Sequence, residues 1–134
     1  MFSKKEVDFL RRPNYLVLST FRKDGSVQMT IVWFEYDPES NVFKISTTTD
    51  RVKYKNIRRD PRVSFIVWEK GNPYQYLQVR GRVADETKTG AHEFIDHLSE
   101  IYTGAKVYHG DPEHQQDRVI ITISPENYFS VGVE

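Results

Sequence analysis

The sequence contains no cysteine in its 134 residues, and it carries no excess of charge of either sign. The lack of cysteine excludes disulfide bonds, thiolate metal sites and a cysteine nucleophile. Lysine and arginine together number 19, as do aspartate and glutamate, so the formal net charge is +0 at pH 7. A dedicated nucleic-acid-binding domain is usually strongly basic. We therefore expect no nucleic-acid partner.

Long apolar segments are also missing. No run approaches the ~20 apolar residues that a membrane-spanning helix needs. The segment 1–12, MFSKKEVDFLRR, lacks the apolar core of a secretion signal. We therefore expect a cytoplasmic protein without membrane contact. The length fits one domain over residues 1–134, which is large enough to bury a hydrophobic core.

Motifs for side-chain catalysis or metal binding are scarce as well. His92 and His97 lie on one predicted helix at a spacing that is poor for a shared metal, and His109 and His114 fall in a polar segment. A G-x-x-x-x-G-K phosphate loop is absent, so an NTPase is not supported. Neither a nucleophile triad nor a paired-acid motif is present. We predict no metal site and no catalytic side chain.

Short β-rich segments separated by turn residues make up most of the chain. Ser3 and Glu6 form a capping box that starts a first helix. An Asp-Gly turn predicts a β-hairpin, and Gly81 indicates a bulge or a close approach in a long strand. We predict strands over 15–21, 27–36, 42–47, 62–68 and 74–85, one or two strands over 118–133, and helices over 50–59 and 87–104. This order predicts a mostly antiparallel β-barrel with peripheral helices, an α+β fold.

One segment concentrates positive charge in an otherwise neutral chain. It is STTTDRVKYKNIRRDPRV, residues 46–63. On a helical wheel, three of its basic residues fall within about 60° of each other and should form an exposed face: Arg51, Lys55 and Arg58. Lys53 falls on the other side, beside Asn56 and flanked by Val52 and Ile57. We therefore expect Lys53 to face the protein.

An inward lysine needs a partner, because an unpaired buried ammonium group is costly. A carboxylate on a neighbouring strand is one candidate. The other is an anionic ligand at the N-terminus of the helix, which presents free N–H groups and the positive end of the helix dipole. Hydroxyl groups collect there and, together with two basic side chains, predict a phosphate-binding site: Ser46, Thr47, Thr48, Thr49, Arg51 and Lys53.

The pattern T-x-R-x-K-x-x-N-I-x-x-D-P-R-V over residues 49–63 resembles the phosphate-binding segment of the pyridoxamine 5′-phosphate oxidase-like split β-barrel superfamily. In that superfamily an inward lysine of a short helix binds the cofactor phosphate. The matching residue here is Lys53. The resemblance therefore implies an FMN-binding-like split β-barrel.

The rest of the chain resembles one branch of that superfamily, the small B-type F420 (deazaflavin)-dependent oxidoreductases. The motifs that carry this likeness are Leu18-Ser19-Thr20, Asp24-Gly25-Ser26, Val32-Trp33-Phe34, Asn72-Pro73-Tyr74, Val79-Arg80-Gly81-Arg82-Val83 and Tyr102-Thr103-Gly104. Coenzyme F420 carries a phosphodiester and a polyglutamate tail. The tail would suit the outward basic residues of the helix, although solvation explains them equally well.

Two departures separate the chain from true pyridoxamine-phosphate oxidases. Those enzymes have an arginine where this chain has Gln28, and they end in an Arg/Trp substrate-binding segment. The tail ISPENYFSVGVE contains no such segment. Pyridoxamine-phosphate oxidation is therefore not expected.

The resemblance also implies where the cofactor lies. Its ring would rest on the strand that carries Gln28, Thr30, Val32 and Trp33, in a cleft between the subunits of a homodimer. The partner chain would supply Trp68, Tyr74, Tyr76 and Arg80, although a core or interface role is favoured over a contact with the ring for both tryptophans. The predicted cofactor-binding residues are Gln28, Thr30, Val32, Trp33, Thr47, Thr48, Thr49, Arg51, Lys53, Asn56, Trp68, Tyr74, Tyr76 and Arg80.

The function that the resemblance implies is hydride transfer between reduced coenzyme F420 and an unsaturated or conjugated small molecule. Two alternatives remain open at this point. One is an FMN-dependent oxidoreductase of the same fold, and the other is a flavin- or haem-binding protein without turnover. The sequence does not identify the substrate.

Overall fold

Three helices and seven strands account for most of the residues that the computed structural model describes, which are 1–110 and 117–133. In chain order they are α1 (Lys4–Leu10), β1 (Tyr15–Phe21), β2 (Val27–Val32), β3 (Phe34–Asp37), β4 (Val42–Thr48), α2 (Val52–Arg59), β5 (Arg62–Glu69), β6 (Asn72–Thr87), α3 (Ala91–Thr103) and β7 (Arg118–Val131). The strands form one sheet in the order β2-β1-β5-β6-β7-β4-β3, and all of its pairings are antiparallel. No described helix is long and apolar enough to cross a membrane.

The sheet is curled, because two consecutive segments of the chain lie at its opposite edges. β2 pairs with β1 at one edge, and β3 pairs with β4 at the other. Only Trp33 separates them, so the chain itself connects the two edges. This arrangement confirms the predicted split β-barrel. The single strand predicted over 27–36 is wrong, since the chain leaves one edge and joins the other at Trp33.

Apolar side chains fill the interior of the curled sheet. Leu16, Phe43, Phe65, Leu77 and Ile121 are all at most 2% exposed, and the rings of Phe43 and Phe65 lie 4.8 Å apart. Burying a side chain of this size contributes about 1.5–3 kcal/mol. Because the interior is occupied by side chains, a ligand has to bind on the outside of the barrel.

The capping box predicted for α1 is present. The Ser3 N–H donates to Glu6 Oε1 at 2.8 Å, and the Glu6 N–H donates to Ser3 Oγ at 3.2 Å. The Tyr128 hydroxyl also donates to Glu6 Oε1, at 2.8 Å. Burial raises the pKa of Glu6, but the hydrogen bonds from Ser3 and Tyr128 outweigh burial and the net pKa is lowered. The carboxylate therefore stays ionised and ties α1 to β7.

Gly81 lies where the register of β6 and β7 shifts, as its position in the sequence predicted. A Cβ atom at this residue would lie 2.5 Å from the backbone oxygen of Ser124. That separation is far shorter than a normal contact. Only glycine therefore allows the two strands to approach this closely.

We expect Gly81→Ala to lower the free energy of unfolding by about 1–3 kcal/mol, the range found when a packed site is overfilled. Denaturant unfolding measures this change. Asp85→Ala, at another exposed position of the same strand, should change stability by less than about 0.5 kcal/mol. A Gly81→Ala protein as stable as the wild type would show that the strands are farther apart than the structure has them.

Candidate cofactor-binding site

A cavity of about 250 Å³ lies outside the barrel, where β4 ends, α2 begins and α3 packs nearby. β4 leads into α2 through a short connection whose Thr49 N–H donates to the Asp117 backbone oxygen at 3.1 Å. This bond holds the connection against the start of β7. The residues that line the cavity are Ile31, Val32, Trp33, Ser46, Thr47, Thr48, Arg51, Lys53, Ile95, Leu98, Tyr108 and Arg118.

Six of the fourteen predicted site residues line this cavity: Val32, Trp33, Thr47, Thr48, Arg51 and Lys53. They come from two segments that are distant in sequence, the β2–β3 junction and the β4–α2 connection. The structure therefore brings together the middle of the predicted ring-binding strand and the predicted phosphate-binding site. Whether they bind a cofactor stays a prediction.

Lys53 is half-buried and lines the cavity, whereas Lys55 and Arg58 are exposed. For these three residues the helical wheel predicted this division. It was wrong for Arg51, which it placed on the exposed face: Arg51 is half-buried and lines the cavity. Arg58 also pairs with Glu86, at 2.5 Å. The wheel also placed Val52 beside Lys53 on the inward side, and this was wrong, because Val52 is 51% exposed.

Asn56 is a second inward residue of α2, but it does not line the cavity. It is 3% exposed, and its Nδ2 donates to the Thr20 hydroxyl at 3.0 Å. That hydroxyl donates in turn to Gln28 Oε1 at 3.3 Å, while Arg59 Nη2 donates to Asn56 Oδ1 at 3.1 Å. In this structure Asn56 and Gln28 therefore fix α2 against β1 and β2.

The other predicted residues lie outside the cavity lining. Thr30 is half-buried on β2, and Thr49 contributes its backbone to the β4–α2 connection. The four residues assigned to the partner chain lie on β5 and β6, with Tyr74 79% exposed and Arg80 Nε donating to Asn127 Oδ1 at 2.7 Å. They are Trp68, Tyr74, Tyr76 and Arg80, and one chain alone does not place them at its own cavity.

The chemistry of the lining suits an anion. Three cationic side chains, Arg51, Lys53 and Arg118, line the cavity, and none of the described lining residues is acidic. Thr47 is 4% exposed, and its Oγ1 has no hydrogen-bond partner among the described residues. A buried hydroxyl left without a partner costs about 1–3 kcal/mol. A phosphate oxygen in the cavity would satisfy it, so the residues present fit a phosphate-bearing cofactor.

Trp33, which lines the cavity, belongs to a stacked aromatic pair with Tyr102. The rings of Trp33 and Tyr102 lie 5.3 Å apart and are 11° from parallel. The Tyr102 hydroxyl donates to the Asn14 backbone oxygen at 2.6 Å, and the Phe34 N–H donates to that hydroxyl at 3.4 Å. Burial raises the pKa of Tyr102 to about 12, so this hydroxyl keeps its proton at neutral pH. The Trp33 ring is thereby held in a fixed orientation beside the cavity.

Sequence reasoning missed four cavity residues on the C-terminal part of the chain: Ile95, Leu98, Tyr108 and Arg118. Arg118 reaches the cavity because β7 pairs with β4, which places it opposite Thr48. No local pattern predicts that long-range pairing. A helix was predicted over 87–104, but not that its Ile95 and Leu98 would line a cavity.

A metal site was not predicted. Among residues 1–110 and 117–133, no group of three or more His, Cys, Asp or Glu side chains is placed to hold a metal ion. His114 lies outside the described residues. His97 contacts Glu35, away from the cavity lining.

Comparison with known proteins agrees with the split-barrel fold. The family model described as "Pyridoxamine 5′-phosphate oxidase" matches residues 2–132. A solved structure described as an F420 reductase is 35% identical, with a TM-score of 0.83, and the match covers 96% of this chain and 98% of that one.

More distant structures share the fold alone. General Stress Protein 26 from Bacillus anthracis is 21% identical with a TM-score of 0.71, and the match covers 98% of this chain and 94% of that one. The haem storage protein HutZ from Vibrio cholerae is 16% identical with a TM-score of 0.67, with coverage of 99% and 97%. The chain belongs to the pyridoxamine 5′-phosphate oxidase family, whose split-barrel fold binds flavin-type cofactors.

Proposed function

We propose that this protein is an oxidoreductase that transfers a hydride between reduced coenzyme F420 and an unsaturated or conjugated small molecule. The observation that carries the proposal is the cavity beside α2, which Thr47, Arg51 and Lys53 line together. In this lining Thr47 Oγ1 is a buried hydroxyl without a hydrogen-bond partner among the described residues. The choice of F420 is supported by the 35% identity to an F420 reductase over almost the whole chain. The predicted cytoplasmic location stays a prediction.

The chain's own residues would bind and orient the cofactor. Lys53 and Thr47 would donate hydrogen bonds to the phosphate, and Lys53 would neutralise part of its charge. When bound, the cofactor supplies the hydride chemistry, and the protein supplies position and electrostatics. This division of roles between cofactor and protein agrees with the sequence, which contains no recognisable catalytic motif.

β2 is suited to hold the ring. It lies at one edge of the sheet, so alternate backbone N–H and C=O groups point away from β1 and are available to a ligand. Ile31 and Val32 offer apolar contact at the cavity, and the fixed Trp33 ring closes its end. A planar heterocycle on this edge could accept backbone hydrogen bonds at its pyrimidine side.

We also propose that the active unit is a homodimer with two sites. Residues that pair across neighbouring strands lie on the same face of a sheet. One such row of paired residues crosses five strands on the outer face of the barrel. This outer row consists of Ile31, Val17, Ile66, Gln78 and Phe129. Ile31 and Phe129 are each 62% exposed. Ile31 belongs both to this apolar face and to the cavity lining, so a second copy seated on the face would complete the cavity.

FMN is the second candidate, because it also carries a phosphate that would fit Thr47 and Lys53. Haem has no phosphate, and no histidine is among the described residues that line the cavity. These features favour a phosphate-bearing flavin or deazaflavin over haem.

A titration on one preparation tests the proposal. F420, FMN and haem are added separately to the purified protein, and tryptophan fluorescence reports binding, since Trp33 borders the cavity. We expect F420 to bind most tightly and haem to bind most weakly. Tighter binding of FMN would make FMN the cofactor in place of F420, and exclusive binding of haem, with a Soret band, would refute the oxidoreductase proposal.

Gln28 provides a graded prediction. Its side chain accepts a hydrogen bond from Thr20 and does not line the cavity, so it is not placed to replace an arginine as a phosphate ligand. Gln28→Ala should weaken F420 binding by less than about fivefold, the effect of one neutral hydrogen bond on a neighbouring element. The same titration measures it. A loss as large as that of Lys53→Ala would contradict this placement.

A further inference from the structure

We infer that Arg118 is a second phosphate-binding residue of the cavity, contributed by β7 and acting together with Lys53 of α2. The inference rests on the proposed function and goes beyond the predicted site, which contains no residue of β7. It adds to the proposed function that the cofactor phosphate is bound by a lysine and an arginine from two separate elements.

The position of Arg118 supports this role. It is 5% exposed, it lines the cavity, and it lies opposite Thr48 in the pairing of β7 with β4. Its Nη1 donates to Ser46 Oγ at 3.0 Å. A buried charge is costly unless charged or polar groups surround it. An anionic ligand in the same cavity would place a negatively charged group beside the Arg118 guanidinium.

The orientation of Arg118 is set by a ring. Its guanidinium carbon lies 5.0 Å from the centre of the Tyr108 ring, and the edge of that ring contacts Trp33 at 5.9 Å between centres. The Tyr108 N–H donates to Asp96 Oδ1 at 2.8 Å, which fixes its segment to α3. A guanidinium that is held by a ring presents its N–H donors in a defined plane. That geometry suits two oxygens of one phosphate, which a lysine cannot match.

The test compares ligands that carry a phosphate with ligands that lack it. FMN and riboflavin differ only in the phosphate and form one pair. F420 and its deazaflavin core form the other pair, and this core lacks the polyglutamate tail as well as the phosphate. Affinities are measured for the wild type, Arg118→Met and Arg118→Lys, and for the control Arg82→Met, which removes an exposed arginine on β6. The affinities of the wild type for F420 and FMN are measured first. The variants are then compared with the ligand pair that contains the tighter-binding cofactor.

We expect Arg118→Met to weaken binding of the phosphate-bearing ligand by about ten- to a hundredfold. Binding of the phosphate-free ligand should change by less than about threefold. Arg118→Lys should recover only part of the loss, because it keeps the charge but not the planar fork. Arg82→Met should leave both affinities unchanged.

A second variant pair keeps the test valid if Arg118→Met does not fold. Tyr108→Leu removes the ring against the guanidinium, and Tyr108→Phe keeps it. Tyr108→Leu should weaken the phosphate-bearing ligand selectively, and Tyr108→Phe should bind as the wild type does.

Two results would overturn the inference while the proposed function stands: unchanged affinity in Arg118→Met, or an equal loss for phosphate-bearing and phosphate-free ligands, which would show a structural role. A wild-type protein that binds neither F420 nor FMN would refute both the inference and the proposed function.

Discussion

Replacing Lys53 with alanine is expected to weaken F420 affinity by about ten- to a hundredfold. Lys53 is half-buried at the cavity beside the buried hydroxyl of Thr47, so its contact with a phosphate would be a desolvated, charge-assisted hydrogen bond. Such a bond is worth about 1.5–3 kcal/mol, at about 1.4 kcal/mol for each tenfold change in affinity. The fluorescence titration of F420 measures the loss.

Two variants of the same helix, one of a lysine and one of an arginine, are matched controls. Lys55 and Arg58 are exposed, and exposed charges contribute below about 1 kcal/mol and are screened by salt. Lys55→Ala and Arg58→Ala should each change the affinity by less than about fivefold, and mainly at low salt. Equal losses from all three variants would mean that α2 acts as a diffuse positive surface and contains no specific phosphate site.

Ile66→Asp is expected to convert the proposed homodimer to a monomer and to weaken cofactor binding with it. Ile66 lies at the centre of the outer row, between Val17 and Gln78. A carboxylate buried there without a partner would weaken association by about a hundredfold or more. Light scattering at micromolar concentration measures the mass, and the F420 titration is repeated on the same sample.

Ser40→Asp is the control for added charge, since Ser40 is exposed in the turn between β3 and β4, away from the outer row. It should leave both the mass and the affinity unchanged. A wild-type protein that is monomeric would remove the proposed composite site. A monomeric Ile66→Asp protein with full F420 affinity would show that one chain holds the cofactor by itself.

Local features of the fold could be predicted from the sequence because their causes are local. The capping box of α1 depends on Ser3 and Glu6 alone, and the close approach at Gly81 has a direct signal in the residue type. The break at Trp33 has no such signal. The run VQMTIVWFEY is β-rich throughout, and only closure of the sheet decides that β2 and β3 lie at opposite edges.

The residues of the candidate site likewise fall into those that local sequence could predict and those that it could not. The helical period was enough to separate Lys53 from Lys55, because burial on one side of a short helix follows that period. It failed at Val52, which is exposed, and at Arg51, which lines the cavity, since the period does not show which parts of a helix surface the rest of the fold covers. Arg118 and Tyr108 could not be predicted, because their places depend on the pairing of β7 with β4 and on contacts with α3.

A crystal structure of the protein with F420 tests the central claim most directly, which is that the cavity at the start of α2 binds the cofactor phosphate. We predict phosphate oxygens within about 2.7–3.2 Å of Lys53 Nζ and Thr47 Oγ1, with the ring along β2 and its end at Trp33. A phosphate bound elsewhere, such as in the second cavity beside Arg11 and Arg12, would contradict the claim.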